Sequence, residues 1–273
     1  MIKFGRWQRF ASDELRSLGK IGLIYSKIVG FTQPPLFGYS LWFRKIIDKF
    51  NIEFMRVLDA GCGLGEYAFY IAEKYPYSYV TGVDINECKI KKCLYVKKFS
   101  KLTNIDFKML DLRQLEVKEE HDFICANDVL EHIKENKQVL YNFYRALRPG
   151  GWLYIRIPIA IQKRIFKEKY LKSYNQWAKN EHVGQHYNYV SLSNDLQEIG
   201  FSIVFFSYTD GFWGRLAFEL THIIKEKNKL LYAIFVPFLK TLVRLDSLNI
   251  NKKIGDGLVF LACKESCSSY KYD

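Results

Sequence analysis

The sequence predicts an α/β fold built on a doubly wound, mainly parallel sheet. Two observations lead there. Short apolar runs alternate with stretches of helical spacing from residue 54 to residue 158, the pattern of consecutive strand–helix–strand units. In addition Asp59, Asp84, Asp111 and Asp128 fall at or just after the ends of apolar runs. Doubly wound sheets bind ligands beyond the carboxyl ends of their strands. Carboxylates repeated along that edge are hard to explain as chance surface charge.

The elements follow in order. "FMRVLDA" (54–60) reads as a buried strand, and "EYAFYIAEKY" (66–75) has helical spacing and stops before Pro76. "YVTGVD" (79–84) is a second strand, and "NECKIKKCLYVKKFS" (86–100) a basic helix with Ile90, Cys93, Leu94 and Val96 for an inner face. "IDFKML" (105–110) is a third strand and "HDFICAND" (121–128) holds a fourth. "NKQVLYNFYRALRPGG" (136–151) is a helix with a Pro-Gly-Gly stop, and "WLYIRIP" (152–158) is a fifth strand.

Composition sets bounds. The chain has 273 residues, and 49% of them are hydrophobic, which excludes global disorder and allows a sizeable core. The formal charge of +12 fits an anionic partner, nucleic acid or a membrane surface, or simply a lysine-rich solvated face. The cysteines at 62, 88, 93, 125, 263 and 267 form no CxxC and no zinc-finger spacing, and read as reduced thiols of a cytoplasmic protein. "IGLIYSKIVGF" (21–31) is broken by Lys27 and has no small-residue cleavage site, so it does not read as a signal peptide. "LLYAIFVPFL" (230–239) is too short to span a bilayer, which needs about 20 residues.

The segment "RVLDAGCGLGEYAF" (56–69) carries the chemistry. Gly61, Gly63 and Gly65 lie between strand and helix, where glycine lets a ligand approach the backbone. A dinucleotide loop has GxGxxG, whereas here the spacing is GxGxG with Glu66 in the last position. No Gly-Lys-Ser/Thr follows, which excludes a P-loop. Asp59 before the loop would repel phosphate. The loop therefore suits a ligand with a ribose, a base and a positive amino group but no phosphate, such as S-adenosylmethionine.

At these residues the sequence resembles the class I S-adenosylmethionine-dependent methyltransferases of the type 11 group. The matching pieces are "VLDAGCGLG", "VTGVDIN", "MLDL", "FICANDVLEHI" and "LRPGGWLYIRIP", in the family's order. The likeness continues more weakly through "SLSNDLQEIGFSIVFF" (191–206) and "DGLVFLACK" (256–264), which resemble a sixth strand and an antiparallel seventh. It implies a Rossmann-like seven-stranded sheet. It also implies a methyltransferase domain over 51–273, preceded by an N-terminal helical lid at 1–50 over the cofactor, with insertions at 159–190 and 211–255. The implied cofactor is S-adenosyl-L-methionine. Asp59 and the backbone of Ala60, Gly61, Cys62, Gly63 and Gly65 would hold its methionine part, the acid near the ammonium. Asp84 would bind both ribose hydroxyls, Ile85 would pack on adenine, and Asp111 would accept from the adenine amino group beside Leu112. Asn127 and Asp128 would lie near the sulfonium. Asp84 and Asp111 could instead be helix N-caps.

Methyl transfer needs a base only where the acceptor must lose a proton. The candidates are His132 and Glu131 in "VLEHI", and His182 and His186 in "NEHVGQHYNY". The alternative for His132 is a cap or packing role under the next helix. A His-x3-His pair has zinc spacing only on a helix, and Gly184 within it argues against one, so no metal is expected. Nucleobase enzymes carry Asn/Asp-Pro-Pro-aromatic after the fourth strand, whereas "NDVLEH" stands here. The expected acceptor is therefore a small molecule or lipid type, such as a lipid, an isoprenoid or a lipid-linked glycan, and not nucleic acid. The alternatives are a binding module without turnover and an NAD-dependent oxidoreductase. Residues 1–50 mix basic residues (Arg6, Arg9, Lys20) with Trp7, Phe10, Tyr25, Phe31 and Trp42. In the later insertion Lys225, Lys227, Lys229, Lys240 and Arg244 flank an apolar run with Leu230, Leu231, Phe235 and Phe238. This composition fits either an interfacial helix pair on an anionic inner membrane surface or a subdomain covering its own sheet. Pro237 should break or kink a helix there.

Overall fold

The computed structural model describes residues 5–7, 19–30, 33–159 and 162–264. Seven strands form one sheet in the order β3-β2-β1-β4-β5-β7-β6. They are β1 Arg56–Ala60, β2 Tyr79–Asp84, β3 Ile105–Met109, β4 His121–Asn127, β5 Leu147–Pro158, β6 Phe201–Thr209 and β7 Gly257–Lys264. The first five pair in parallel, and β7 runs antiparallel to both β5 and β6. The strand order reverses between β1 and β4, which opens the crevice where such sheets hold ligands.

Alternate strand residues feed opposite layers, as the two-residue period of a strand requires. Val57, Val80, Phe123, Cys125 and Tyr154 pack with α2 (Pro34–Lys49), α3 (Glu66–Lys74) and α4 (Glu87–Ser100). Leu58, Val83, Ile124, Ala126 and Leu153 pack with α5 (Asn136–Ala146) and with α7 (Tyr189–Ile199). Strands buried on both sides read as continuous apolar runs, which is why they were visible in sequence.

Three expectations are corrected. The α5 helix stops at Ala146, and Leu147 to Gly151 already belong to β5. Pro149 disfavours helical backbone at Arg148, and the backbone amides of Glu119 and Glu120 donate to the Arg145 and Ala146 carbonyls, closing the helix end. Within 1–50, α2 joins the core of the sheet. Trp42, Phe43, Ile46 and Ile47 of α2 are core residues, and the Phe43 ring meets Tyr154 edge-to-face at 5.1 Å. Phe10, Phe31 and Arg9 lie outside the described residues. Cys62, Cys88, Cys93 and Cys125 are free, but Cys263 is disulfide-bonded, against the expectation of reduced thiols throughout.

The third correction concerns the helix pair between β6 and β7, α8 (Phe212–Lys227) and α9 (Lys229–Asp246). The α9 helix runs unbroken through Pro237. Proline has no N–H for the carbonyl four residues back, here Ala233. The Tyr25 hydroxyl of α1 (Gly19–Val29) donates to that carbonyl at 2.6 Å instead. Ala217, Tyr232, Val236, Leu239 and Val243 pack with Leu41 of α2 as a third core. Lys240 is not a surface cation. It is buried, donates to the Val29 carbonyl at 2.8 Å and lies 5.1 Å from the Phe37 ring centroid.

Candidate active site

The loop after β1 is built by glycine. Gly61, Gly63 and Gly65 all have positive φ, at 69°, 58° and 78°. A Cβ on Gly61 would stand 2.5 Å from Val129 Cγ2. The loop is tied to β2, since Cys62 N donates to the Val83 carbonyl at 2.8 Å and Gly63 N to Asp84 Oδ2 at 2.9 Å. Asp84 Oδ1 accepts from Asn86 N at 2.8 Å. The two backbone donors fix the Asp84 carboxylate at the mouth of the crevice, and each oxygen keeps a lone pair for a ligand. The N-cap of α4 is Asn86, not Asp84.

A cavity of about 830 Å³ lies against this edge, lined by Gly61, Asp84, Ile85, Asp111, Leu112, Asp128 and His132 among others. Ile85 is 64% exposed and free to cover a flat ring, with Leu112 buried nearby. Asp111 caps the short turn Leu112–Gln114 and takes the Arg113 guanidinium on both oxygens. That guanidinium holds its carboxyl below the usual range.

Asp59 is placed differently from expectation. It lies beneath the loop, 2% exposed, and does not line the cavity. Its Oδ2 accepts from Ala68 N at 3.0 Å and its Oδ1 lies 3.4 Å from Cys125 Sγ. The acid therefore pins the first turn of α3 to β1, and burial pushes its pKa up to about 7. Ala60, Cys62, Gly63 and Gly65 shape the loop without lining the cavity, and neither does Asn127. Both polar side-chain atoms of Asn127 are buried without a hydrogen-bond partner.

A second cavity, of about 270 Å³, adjoins the first and shares Asp128, His132 and Trp177 with it. Its walls come from α2, the end of β5, the insertion at 159–190 with α6 (Lys172–Glu181), and α8 and α9. Asp128 adopts φ 52° and turns to the Arg156 guanidinium, whose other arm meets Asp210. Arg156 is 4% exposed and stacks 3.7 Å from the Tyr39 ring centroid. A buried cation between two carboxylates and an aromatic face is a rigid floor, because both arms of the guanidinium are held.

Of the four candidate bases, Glu131, His132 and His182 converge on this second cavity, whereas His186 lines neither. His132 Nδ1 lies 2.9 Å from the Glu181 carbonyl, and its Nε2 lies 4.0 Å from Glu131 Oε1. The His132 and His182 rings are 5.1 Å apart, and those of His182 and His186 6.4 Å. Burial pushes the His182 pKa down to about 4 and raises the Glu131 carboxyl well above its ordinary range. Sequence reasoning missed Arg156, Asp210, Tyr39, Tyr174 and Phe218. Only Arg156 carried a signal, a cation inside the apolar strand "WLYIRIP".

A seven-stranded sheet with an antiparallel β7, a glycine loop after β1 and an acid at the end of β2 define the architecture of a class I methyltransferase. A family model described as a methyltransferase domain matches residues 39–204. The chain belongs to this family. It is 28% identical over 189 residues to phosphoethanolamine N-methyltransferase 1 of Arabidopsis thaliana, covering 68% of this chain and 37% of that one. It is 28% identical over 105 residues to trans-aconitate 2-methyltransferase of Deinococcus radiodurans, covering 38% of each. The chain spans less than half the length of these curated relatives. Among solved structures, phosphoethanolamine N-methyltransferase 2 of Haemonchus contortus in complex with S-adenosyl-L-methionine superposes with TM-score 0.62 at 18% identity, over 97% of this chain and 61% of that one. A putative sarcosine dimethylglycine methyltransferase from Galdieria sulphuraria gives 0.55 at 16%, over 84% of both. At these identities the structural likeness carries the fold.

Proposed function

We propose that the chain transfers a methyl group from S-adenosyl-L-methionine to a small-molecule or lipid-type acceptor. The observation that carries this reading is the junction of two cavities at Asp128 and His132, one edged by Gly61 and Asp84 and one lined by Arg156. The first fits the cofactor. Asp84 would accept from ribose hydroxyls on oxygens aligned by Gly63 N and Asn86 N, and Ile85 and Leu112 would hold a flat base. When bound, the cofactor supplies an activated methyl on a sulfonium. The protein's part is to hold the acceptor's lone pair in line behind that methyl and to exclude water. Tyr39, Tyr174, Trp177 and Phe218 wall the acceptor side. Glu131, His132 and His182 line the same cavity, where an acceptor atom that loses a proton would lie. The test is incubation with tritiated-methyl cofactor and fractionated cell extract. Transfer of label into a small-molecule or lipid fraction supports the reading, and no label in any fraction favours a binding module without turnover.

The lipid branch of this proposal rests on one further observation. Leu230, Ile234 and Phe238 of α9 are 73%, 67% and 54% exposed on one face, and Ile21, Ile24 and Ile28 of the neighbouring α1 are exposed as well. Lys227, Lys229 and Arg244 accompany the α9 stripe, the composition of a helix lying in an anionic interface. No helix among the described residues is long and apolar enough to cross a membrane. Lys225 and Tyr232 of the same helix pair line the acceptor cavity, which links that face to the site. Anionic vesicles should sediment the protein at low salt and release it at high salt, and Phe238→Glu should abolish sedimentation without lowering the Tm. Absence from anionic pellets at low salt would remove the membrane branch and leave a soluble-acceptor enzyme.

A further inference from the structure

We infer that Glu131, His132 and His182 form a binding site for a divalent transition-metal ion at the wall of the acceptor cavity. The inference deepens the methyltransferase reading, because it puts a Lewis acid where an acceptor oxygen or nitrogen would dock. One ligand atom from each of the three residues falls within 4.8 Å of the other two. Bond lengths of about 2.0–2.2 Å to zinc-like ions bring donors to within roughly 4 Å of each other, so small side-chain rotations complete the set.

Three features single the cluster out from a chance grouping of polar residues. Glu131 is 4% exposed and its Oε2 has no hydrogen-bond partner. A buried carboxylate oxygen without a donor is costly unless a cation meets it. His132 is already oriented as a ligand. A carbonyl only accepts, so the Glu181 contact at 2.9 Å puts the proton on Nδ1. The Nε2 lone pair is then left facing Glu131. A ring nitrogen donating to a backbone carbonyl while the other is presented is the usual support of a metal-bound imidazole. The backbone also builds the meeting. Gly184 N donates to the Glu131 carbonyl at 2.9 Å, and a Cβ there would lie 2.4 Å from the Ile133 oxygen and 2.5 Å from the Leu130 oxygen. This contact clamps the turn carrying His182 onto the turn carrying Glu131 and His132. Two imidazoles and one carboxylate suit zinc, manganese, cobalt or ferrous ions rather than magnesium or calcium. Three protein ligands leave a position open, as in sites that bind a reacting oxygen.

The experiment titrates the metal-stripped full-length chain with Co²⁺ and follows both the visible d–d absorption and the calorimetric heat. S-adenosylhomocysteine binding is measured on the same samples. Saturable one-to-one binding with nitrogen-ligand bands is expected. His182→Gln and Glu131→Gln should each weaken it at least about tenfold, while His186→Gln, outside the set, leaves it unchanged. His182→Gln serves as the test if Glu131→Gln fails to fold. No saturable Co²⁺ binding, or equal affinity in His182→Gln, overturns the site. S-adenosylhomocysteine binding without metal binding sinks the site alone, and metal binding without S-adenosylhomocysteine binding sinks the methyltransferase reading alone.

Discussion

Asp84 and Asp59 show how two aspartates at strand ends divide the work. Asp84 stands at the mouth of the crevice with its oxygens aligned by Gly63 N and Asn86 N. Asp84→Ala removes the acceptor of the ribose hydroxyls, each such bond being worth about 1.5–3 kcal/mol. The dissociation constant for S-adenosylhomocysteine should rise at least about tenfold in a folded variant, and an unchanged constant would refute the assignment. Asp59 is buried beneath the loop and accepts from Ala68 N. Its pKa of about 7 in the fold stands above the ordinary value of about 4. Between those pH values the unfolded chain releases this proton and the folded chain keeps it, so this contribution to stability declines as pH rises from about 4 to 7. Asp59→Asn keeps an oxygen for Ala68 N and loses the charge. Denaturant titrations should find it more stable than the parent at pH 8, with the gap closing toward pH 4. A gap independent of pH would contradict this. The sequence placed Asp59 before a glycine loop but could not say that its side chain turns down toward Cys125 rather than up toward a ligand. The same limit applies to His182 and His186, four residues apart, of which only the first reaches the acceptor cavity.

Elements were legible where the pattern is local. The boundaries of β2 and the β1–loop–α3 unit follow from apolar runs and glycines that need positive φ. The β5 start was not, because helix spacing runs into "LRPGG" and only strand pairing with β4 and β7 decides it. Continuity of α9 was illegible for a related reason, since the donor that takes the Ala233 carbonyl in place of a Pro237 amide is Tyr25, 208 residues from Ala233. That contact makes a pairwise prediction. Tyr25→Phe leaves the Ala233 carbonyl unmatched and should cost about 1–3 kcal/mol. In a Pro237→Ala background the alanine N–H can take the carbonyl, and the same substitution should cost much less. Equal costs in the two backgrounds, read from denaturant midpoints, would show that the hydroxyl does not stand in for the missing amide.

The assembled chain is a methyltransferase-type sheet with a second cavity, proposed above as the acceptor pocket, made by what is added to it. The sheet and its cavity were readable because their residues lie in consecutive strand–loop–helix units. The acceptor pocket was not, because Tyr39, Arg156, Tyr174 and Phe218 come from four separate regions and meet only through packing. The most direct measurement is calorimetric titration of the intact chain with S-adenosylhomocysteine and, separately, with NAD. Saturable one-to-one binding of S-adenosylhomocysteine, weakened by Asp84→Ala, and no heat with NAD are expected. Binding of NAD with none of S-adenosylhomocysteine would contradict the reading of the loop and replace it with a dinucleotide site.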